Sequence, residues 1–318
     1  MTVLEFKQDT PETDKQPAAI SVKNVLYATD FSTTSESALP YATAICRRFG
    51  STLHLAHVLS DTNLLLMTGG VDYVCFETLY GDAQSLAQEK VQHIADELRE
   101  IPYRTYVRHG KVWTNLSGIV AENGIDLIVV GTHGRTGLGK LVLGSVAEDI
   151  LRHAPCPVIT VGPGVCSRAK LPGFYGKGGE LAPVELELRH ILYATNFTAA
   201  SLRVAPVAVS LAAQFEARLT LMHVLEDYSK LGSRPAPIDD GVRKLQDEVP
   251  KDPALAYAPE IVIEFGSAWK CIVNKAAERE ADLIVLGAHP ASGTTHLPWS
   301  TVHQVVAHAT CPVLTVPA

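Results

Sequence analysis

No two cysteines in this chain form a Cys-x-x-Cys pair, and the six present, Cys46, Cys75, Cys156, Cys166, Cys271 and Cys311, are widely scattered. Such spacing suits neither a zinc site nor a disulfide framework, which leaves buried free thiols. An excess of positive charge is missing too: 27 Lys and Arg stand against 34 Asp and Glu, a formal charge of −7. That balance opposes the phosphate attraction on which nucleic-acid binding depends, so no DNA or RNA partner is expected. Long apolar runs are also lacking. Stretches such as Asp126 to Val130 are strand-sized, far below the roughly 20 residues that cross a bilayer, so no membrane association is expected. The first sixteen residues are polar and acidic, without the basic flank and apolar segment of a secretory signal, and the expected location is cytoplasmic. Neither His-Glu-x-x-His nor Gly-x-Ser-x-Gly occurs.

What is present is repetition. Asn24-Val-Leu-Tyr-Ala-Thr-Asp-Phe31 is answered by His190-Ile-Leu-Tyr-Ala-Thr-Asn-Phe197, and the same offset pairs Pro40 with Pro206 and His57-Val58 with His223-Val224. Further along, Asp126-Leu-Ile-Val-Val-Gly131 matches Asp282-Leu-Ile-Val-Leu-Gly287, and Cys156-Pro-Val-Ile-Thr-Val161 matches Cys311-Pro-Val-Leu-Thr-Val316. Four blocks in the same order make two copies of one unit. The chain, at 318 residues, is long enough for roughly two domains of about 150 each. The expected division is a first domain over 20–162, a Gly-, Pro- and Lys-rich linker over 163–187, and a second domain over 188–318.

Within each copy, short β-branched runs alternate with helical patterns, which predicts βαβ units around a parallel sheet, an α/β fold. In the first copy strands are expected near 24–29, 52–58, 103–108, 126–130 and 157–161. Helices are expected near 34–49, 82–100, 113–123 and 144–153, the first opened by the polar cluster Ser32 to Ser35. The apolar stretch Leu64 to Met67, followed by Tyr73 to Tyr80, reads as a packed helix, a lid or a partner surface.

The chemistry-bearing motif follows the fourth strand: Gly131-Thr-His-Gly134, nine residues, then Gly144-Ser145-Val146 opening a helix. Glycines between a strand and a helix N-terminus let backbone N–H groups approach phosphate oxygens. Gly134 to Lys140 also spells Gly-x-x-x-x-Gly-Lys, but Leu141 stands where a Walker A loop needs a hydroxyl for Mg²⁺. His133 lies beside the loop as a possible phosphate donor or a solvated residue.

This spacing, with Tyr27-Ala-Thr-Asp-Phe31 on the first strand, resembles the ATP-binding branch of the universal stress protein family over nearly the whole chain, twice. The resemblance implies two tandem Rossmann-like domains of the adenine nucleotide alpha hydrolase type. Each is an open sheet of five parallel strands with helices on both faces, and its ligand lies at the switch point between the first and fourth strands. Matched position by position, it implies that Asp30 and the backbone of Val58 contact adenine, and that Ala28 and Thr29 line the adenosine pocket. Val130 and Gly131 fall on the ribose side, and Gly134, Gly144, Ser145 and Val146 hold the phosphates. Apart from the resemblance, Arg135 or Lys140 is expected to add charge near the phosphates. ATP, with Mg²⁺, is the implied cofactor, bound rather than turned over, because no general base is spelled out beside the loop. Slow ATP hydrolysis and a scaffold that binds no nucleotide are the alternatives.

The second copy departs from the motif at each informative position. Asn196 replaces the Asp, Pro290 the second Gly, and Trp299-Ser300 the Gly-Ser pair, in a loop one residue shorter. Proline removes a donor and Trp fills space phosphates need, so no ATP is expected there. In the family the last strand makes the dimer contact. The resemblance therefore implies that the two halves pair with each other, alongside a homo-oligomer or a protein partner not named by the sequence. His54 and His57, three apart on a strand, point to opposite faces and are not expected to share a metal.

Overall fold

The structure, a computed structural model, describes residues 21–60, 73–98, 100–132, 143–162, 164–165, 186–198, 204–226, 236–249, 255–288 and 300–317. The first half runs β1 (Asn24–Ala28), α1 (Thr33–Glu36), α2 (Leu39–Phe49), β2 (Thr52–Leu59), α3 (Tyr73–Asp96), β3 (Tyr103–His109), α4 (Val112–Asn123), β4 (Leu127–Gly131), α5 (Ser145–His153) and β5 (Val158–Val161). The second runs β6 (His190–Ala194), α6 (Ala205–Gln214), β7 (Arg218–Leu225), α7 (Ala236–Asp247), β8 (Glu260–Phe265), α8 (Ala268–Glu278), β9 (Leu283–Ala288), α9 (Ser300–His308) and β10 (Val313–Pro317).

Ten strands form one sheet in the order β3-β2-β1-β4-β5-β10-β9-β6-β7-β8. Neighbours within each half are parallel, whereas β5 and β10 meet antiparallel, with Leu314 opposite Ile159. The exposed edge that each five-stranded sheet would otherwise carry is thereby used to join the halves. Because β10 opposes β5, the carboxyl-terminal rims of the two half-sheets face opposite directions.

Strands covered by helices on both faces are apolar along their length. Val25, Leu26 and Tyr27 of β1 and Ile191, Leu192 and Tyr193 of β6 are all 0% exposed. One core lies on each face, and each runs through both halves: Tyr27 and Tyr193 share one, Leu26 and Leu192 the other. Register is pinned by a repeated polar tie. The Asp126 carboxylate accepts the Lys23 and Asn24 N–H groups at 2.8 and 2.9 Å, fastening the start of β4 to that of β1. Asp282 does the same for Arg189 and His190, at 2.8 and 3.0 Å.

The helix expected over 34–49 is two helices. Pro40 has no N–H to give the Glu36 carbonyl, so α1 stops and α2 restarts with proline in its first turn. Ser32 caps α1 as the polar cluster predicted, its side chain accepting the Ser35 N–H at 3.2 Å. Helix α3 begins at Tyr73, nine residues before the expected start, so the stretch from Tyr73 to Tyr80 is helical. Leu64 to Met67 lie outside the described residues.

Candidate functional site

Parallel pairing of β1 with both β2 and β4 sets Ala28 beside Ala56 on one side and Val130 on the other. The next residues of all three strands therefore emerge on one rim: Thr29 and Asp30, His57 and Val58, Gly131 and Thr132. This is the point where the chain order reverses across the sheet, the place ligands occupy in open α/β folds. Ala28, Thr29 and Val130 are buried, while Asp30 and Val58 are half-buried and reachable.

A tight turn shapes the β1 side. Thr29 donates its N–H to Ala56 O at 2.9 Å, its Oγ1 accepts the Phe31 N–H at 3.0 Å, and Asp30 Oδ1 accepts the Ser32 N–H at 3.0 Å. Phe31 sits at φ 60°, a left-handed conformation rare for an aromatic residue, held by these bonds. Gly131 is glycine for a packing reason. A Cβ there would lie 2.6 Å from Thr34 O and 2.8 Å from Ser35 Cα, so the backbone of α1 can press on the end of β4 only without a side chain.

Gly144 donates its N–H to Thr132 O at 2.7 Å, which sets the residues on either side of 133–142 against one another at this rim. Both ends of the glycine-rich segment thus meet at its base, bringing Gly144, Ser145 and Val146 to the end of β4. Gly144 is the N-cap of α5 at φ −65° and supplies no side-chain cap. The first-turn N–H groups of α5 therefore point out of the helix with its positive end behind them. Glu148 in that turn is engaged by Arg152 at 2.7 Å, which offsets its charge near an anion. Gly134 and Arg135, together with His133 and Lys140, lie outside the described residues.

Four more residues converge here that the motif reading did not single out. The Phe31 ring lies 4.3 Å from the His57 ring, and Lys90 Nζ stands 5.3 Å from the centroid of the same Phe31 ring. His57 Nδ1 is 2.8 Å from Thr29 O. Glu36 has its carboxyl raised, chiefly by burial and further by Asp30, with Lys90 opposing. The repeat held the signal for two of them, since Phe31 and His57 match Phe197 and His223; Lys90 and Lys244 correspond by their places over those phenylalanine rings.

The second half rebuilds that turn closely. Thr195 donates its N–H to Met222 O at 2.9 Å, Phe197 sits at φ 59° and 4.3 Å from His223, and Lys244 stands 5.4 Å over Phe197. His223 Nδ1 is 2.9 Å from Thr195 O, and burial lowers its pKa. Asn196 turns its Oδ1 onto the Thr198 N–H and hydroxyl, at 3.3 and 2.8 Å. Beneath the turn the halves differ. Thr29 Oγ1 meets Ser35 Oγ at 3.0 Å, whereas Thr195 Oγ1 donates to Glu248 Oε1 at 3.2 Å. Four residues beyond the matched lysines, Glu248 stands where the first half has Ile94, which is 5% exposed. Burial raises the Glu248 carboxyl, and its Oε2 has no hydrogen-bond partner among the described residues. Pro290 and Trp299 lie outside the described residues, and of Ser300 only its place at the start of α9 is described.

His54 faces away from His57, with Nδ1 3.0 Å from the Tyr106 hydroxyl and Nε2 3.2 Å from Asn24 Oδ1. Among the described residues no group of three or more His, Cys, Asp or Glu is set to hold a metal, and no described helix is long and apolar enough to cross a membrane. Cys46 and Cys156 are free and buried, their thiols pushed up to about 12 chiefly by burial, so neither is a ready nucleophile.

The universal stress protein family model matches residues 21–162 and again 187–317. A universal stress protein from Methanocaldococcus jannaschii is 28% identical over 156 residues, covering 45% of this chain and 96% of the relative. Among solved structures, a universal stress protein from Archaeoglobus fulgidus superposes with a TM-score of 0.67 at 21% identity, over 93% of this chain and 97% of its own. A functionally unknown protein from Pseudomonas aeruginosa gives 0.61 at 18% identity, over 95% and 93%. Those two likenesses show the tandem α/β fold, and with the family model matching both halves, the chain belongs to the universal stress protein family.

Proposed function

We propose that the first domain binds one ATP, with Mg²⁺ carried on its phosphates, and that the chain is a cytoplasmic stress-response regulator that retains nucleotide rather than consuming it. The observation that carries this reading is the return of Gly144 to Thr132. It brings an uncapped helix N-terminus to the same rim as Asp30 and Val58, so a base-binding end and a phosphate-binding end share one crevice. Asp30 and the Val58 backbone take adenine, Ala28 and Thr29 line the adenosine side, and Val130 and Gly131 border the ribose. Gly144, Ser145 and Val146 receive phosphates, with Gly134 and Arg135 completing the loop. The second domain, with Asn196, Pro290 and Trp299 in place of Asp30, Gly134 and Gly144, serves as a built-in partner joined through β5 and β10.

Calorimetric titration of the purified chain with Mg²⁺-ATP, with AMP and cAMP as competitors, tests the reading. One site per chain is expected, and Asp30→Ala is expected to weaken it about tenfold, roughly 1.4 kcal/mol. No saturable ATP binding, or an unchanged affinity in Asp30→Ala, would contradict it. A single-turnover assay addresses retention: rapid Mg²⁺-dependent hydrolysis by pure protein would replace the regulator with an ATPase.

A further inference from the structure

We propose that the seam between the halves is a binding site for a medium-chain fatty acid, its tail over the β5–β10 junction and its carboxylate at Arg47. A cavity of about 340 Å³ lies there, walled by Tyr41, Ile45 and Phe49 of α2, by Val207 and Leu211 of α6 and by Phe215, the C-cap of α6. Each trio has the i, i+4, i+8 spacing of one helix face, and the two trios are partners in the internal repeat. Ile159 and Leu314, opposite one another in the β5–β10 register, form its floor. Protein interiors leave few voids larger than a water molecule. An opening of this size with apolar walls lies within the range of small-molecule pockets and suits an aliphatic guest.

A second, open compartment of about 650 Å³ adjoins the first, sharing Leu186, Leu188 and Phe215, and brings in Arg47, Arg48 and Arg189. Arg48 is already engaged, donating Nη2 to Gln214 O at 2.8 Å and lying 5.3 Å over Phe215, and Arg189 pairs with Glu187 at 2.5 Å. Arg47 is different: its Nε is buried and has no hydrogen-bond partner among the described residues. A buried guanidinium donor lacking an acceptor is matched by a carboxylate. Glu187 and Glu216 also face this compartment, so among the described residues three arginines against two glutamates leave one positive charge, which suits a carboxylate better than a phosphate. Asp126 and Asp282 border the apolar cavity, but each spends an oxygen on two main-chain N–H groups. The site lies on the sheet face over the seam, away from the β1–β4 rim, and stands or falls independently of ATP binding.

The test is calorimetric titration of the delipidated full-length chain with decanoate and with decanol. Decanoate is expected to bind once per chain. Arg47→Met should weaken decanoate about tenfold and leave decanol within about twofold, while Leu211→Trp, which fills the cavity, should abolish both and leave ATP binding unchanged. Should Leu211→Trp not fold, Ile45→Phe is expected to weaken decanoate at least about threefold. Absence of decanoate binding up to about 1 mM, binding undiminished in the cavity-filling variants, or equal losses of decanoate and decanol in Arg47→Met would overturn the proposal.

Discussion

The two halves share a turn and differ in what the turn serves. Thr29-Asp30-Phe31 and Thr195-Asn196-Phe197 have the same left-handed phenylalanine, the same histidine beside it and the same lysine above it. What separates them is chemistry laid on that shared frame. The first half has an acidic side chain and a helix N-terminus without a side-chain cap at the rim; the second has a neutral Asn196 and, below it, the half-buried Glu248 carboxylate. A backbone scaffold can therefore persist in a repeat after its ligand-facing groups have changed, because the scaffold is held by its own hydrogen bonds and packing.

The strongest way to break the comparison is Gly131→Ala. The new Cβ would meet backbone atoms of α1 that have no rotamer to yield, so a loss of about 3 kcal/mol or more is expected, read as the midpoint of denaturant unfolding. An unchanged midpoint would show that α1 does not press on β4. Second in size, Phe31→Ala should weaken ATP severalfold while Phe197→Ala leaves it alone. Equal effects on ATP affinity would mean that nucleotide binding depends on the second half too.

A smaller effect, with opposite sign, is expected at Glu248. Replacing it by Ile, the residue at the matching place in the first half, removes a carboxylate held in a half-buried site. The variant should gain about 1 kcal/mol at neutral pH. Since the folded-state pKa of Glu248 is raised, the folded chain takes up its proton before the unfolded chain does, and stability of the wild type increases as pH falls through that window. The advantage of Glu248→Ile should shrink over the same range, and a constant advantage would count against the titration. The smallest effect belongs to His223, whose pKa is lowered chiefly by burial. Its contribution is present above the ordinary histidine value and is lost as pH falls below it. His223→Asn should flatten that part of the thermal-midpoint profile, and a profile of unchanged slope would remove His223 as its source.

Much of this was legible in the amino-acid order. The alternation of β-branched runs with helical patterns located all five strands of the first half to within a residue at either end, even the half-exposed edge strand β3. The glycine spacing likewise pointed to one crevice, since a strand-to-helix turn is a local feature. The interrupted first helix was missed, although Pro40 marked it. Long-range partnerships were not legible: nothing local to Lys90 or Glu248 states that α3 and the end of α7 bring them to β-strand ends more than 50 residues earlier in the chain. The cavity at the seam was equally hidden, as it exists only once α2 and α6 are set across the β5–β10 junction.

The central claim is that one nucleotide binds, in the first half alone, where Gly144 leaves the α5 N-terminus without a side-chain cap and where the second half has Trp299 in sequence. Native mass spectrometry of the chain with ATP and Mg²⁺, compared with Gly144→Trp, which copies the residue at the matching place in the second half, tests it directly. One ATP on the wild type and none on a folded variant is the predicted result; two on the wild type, or one still on Gly144→Trp, would contradict it.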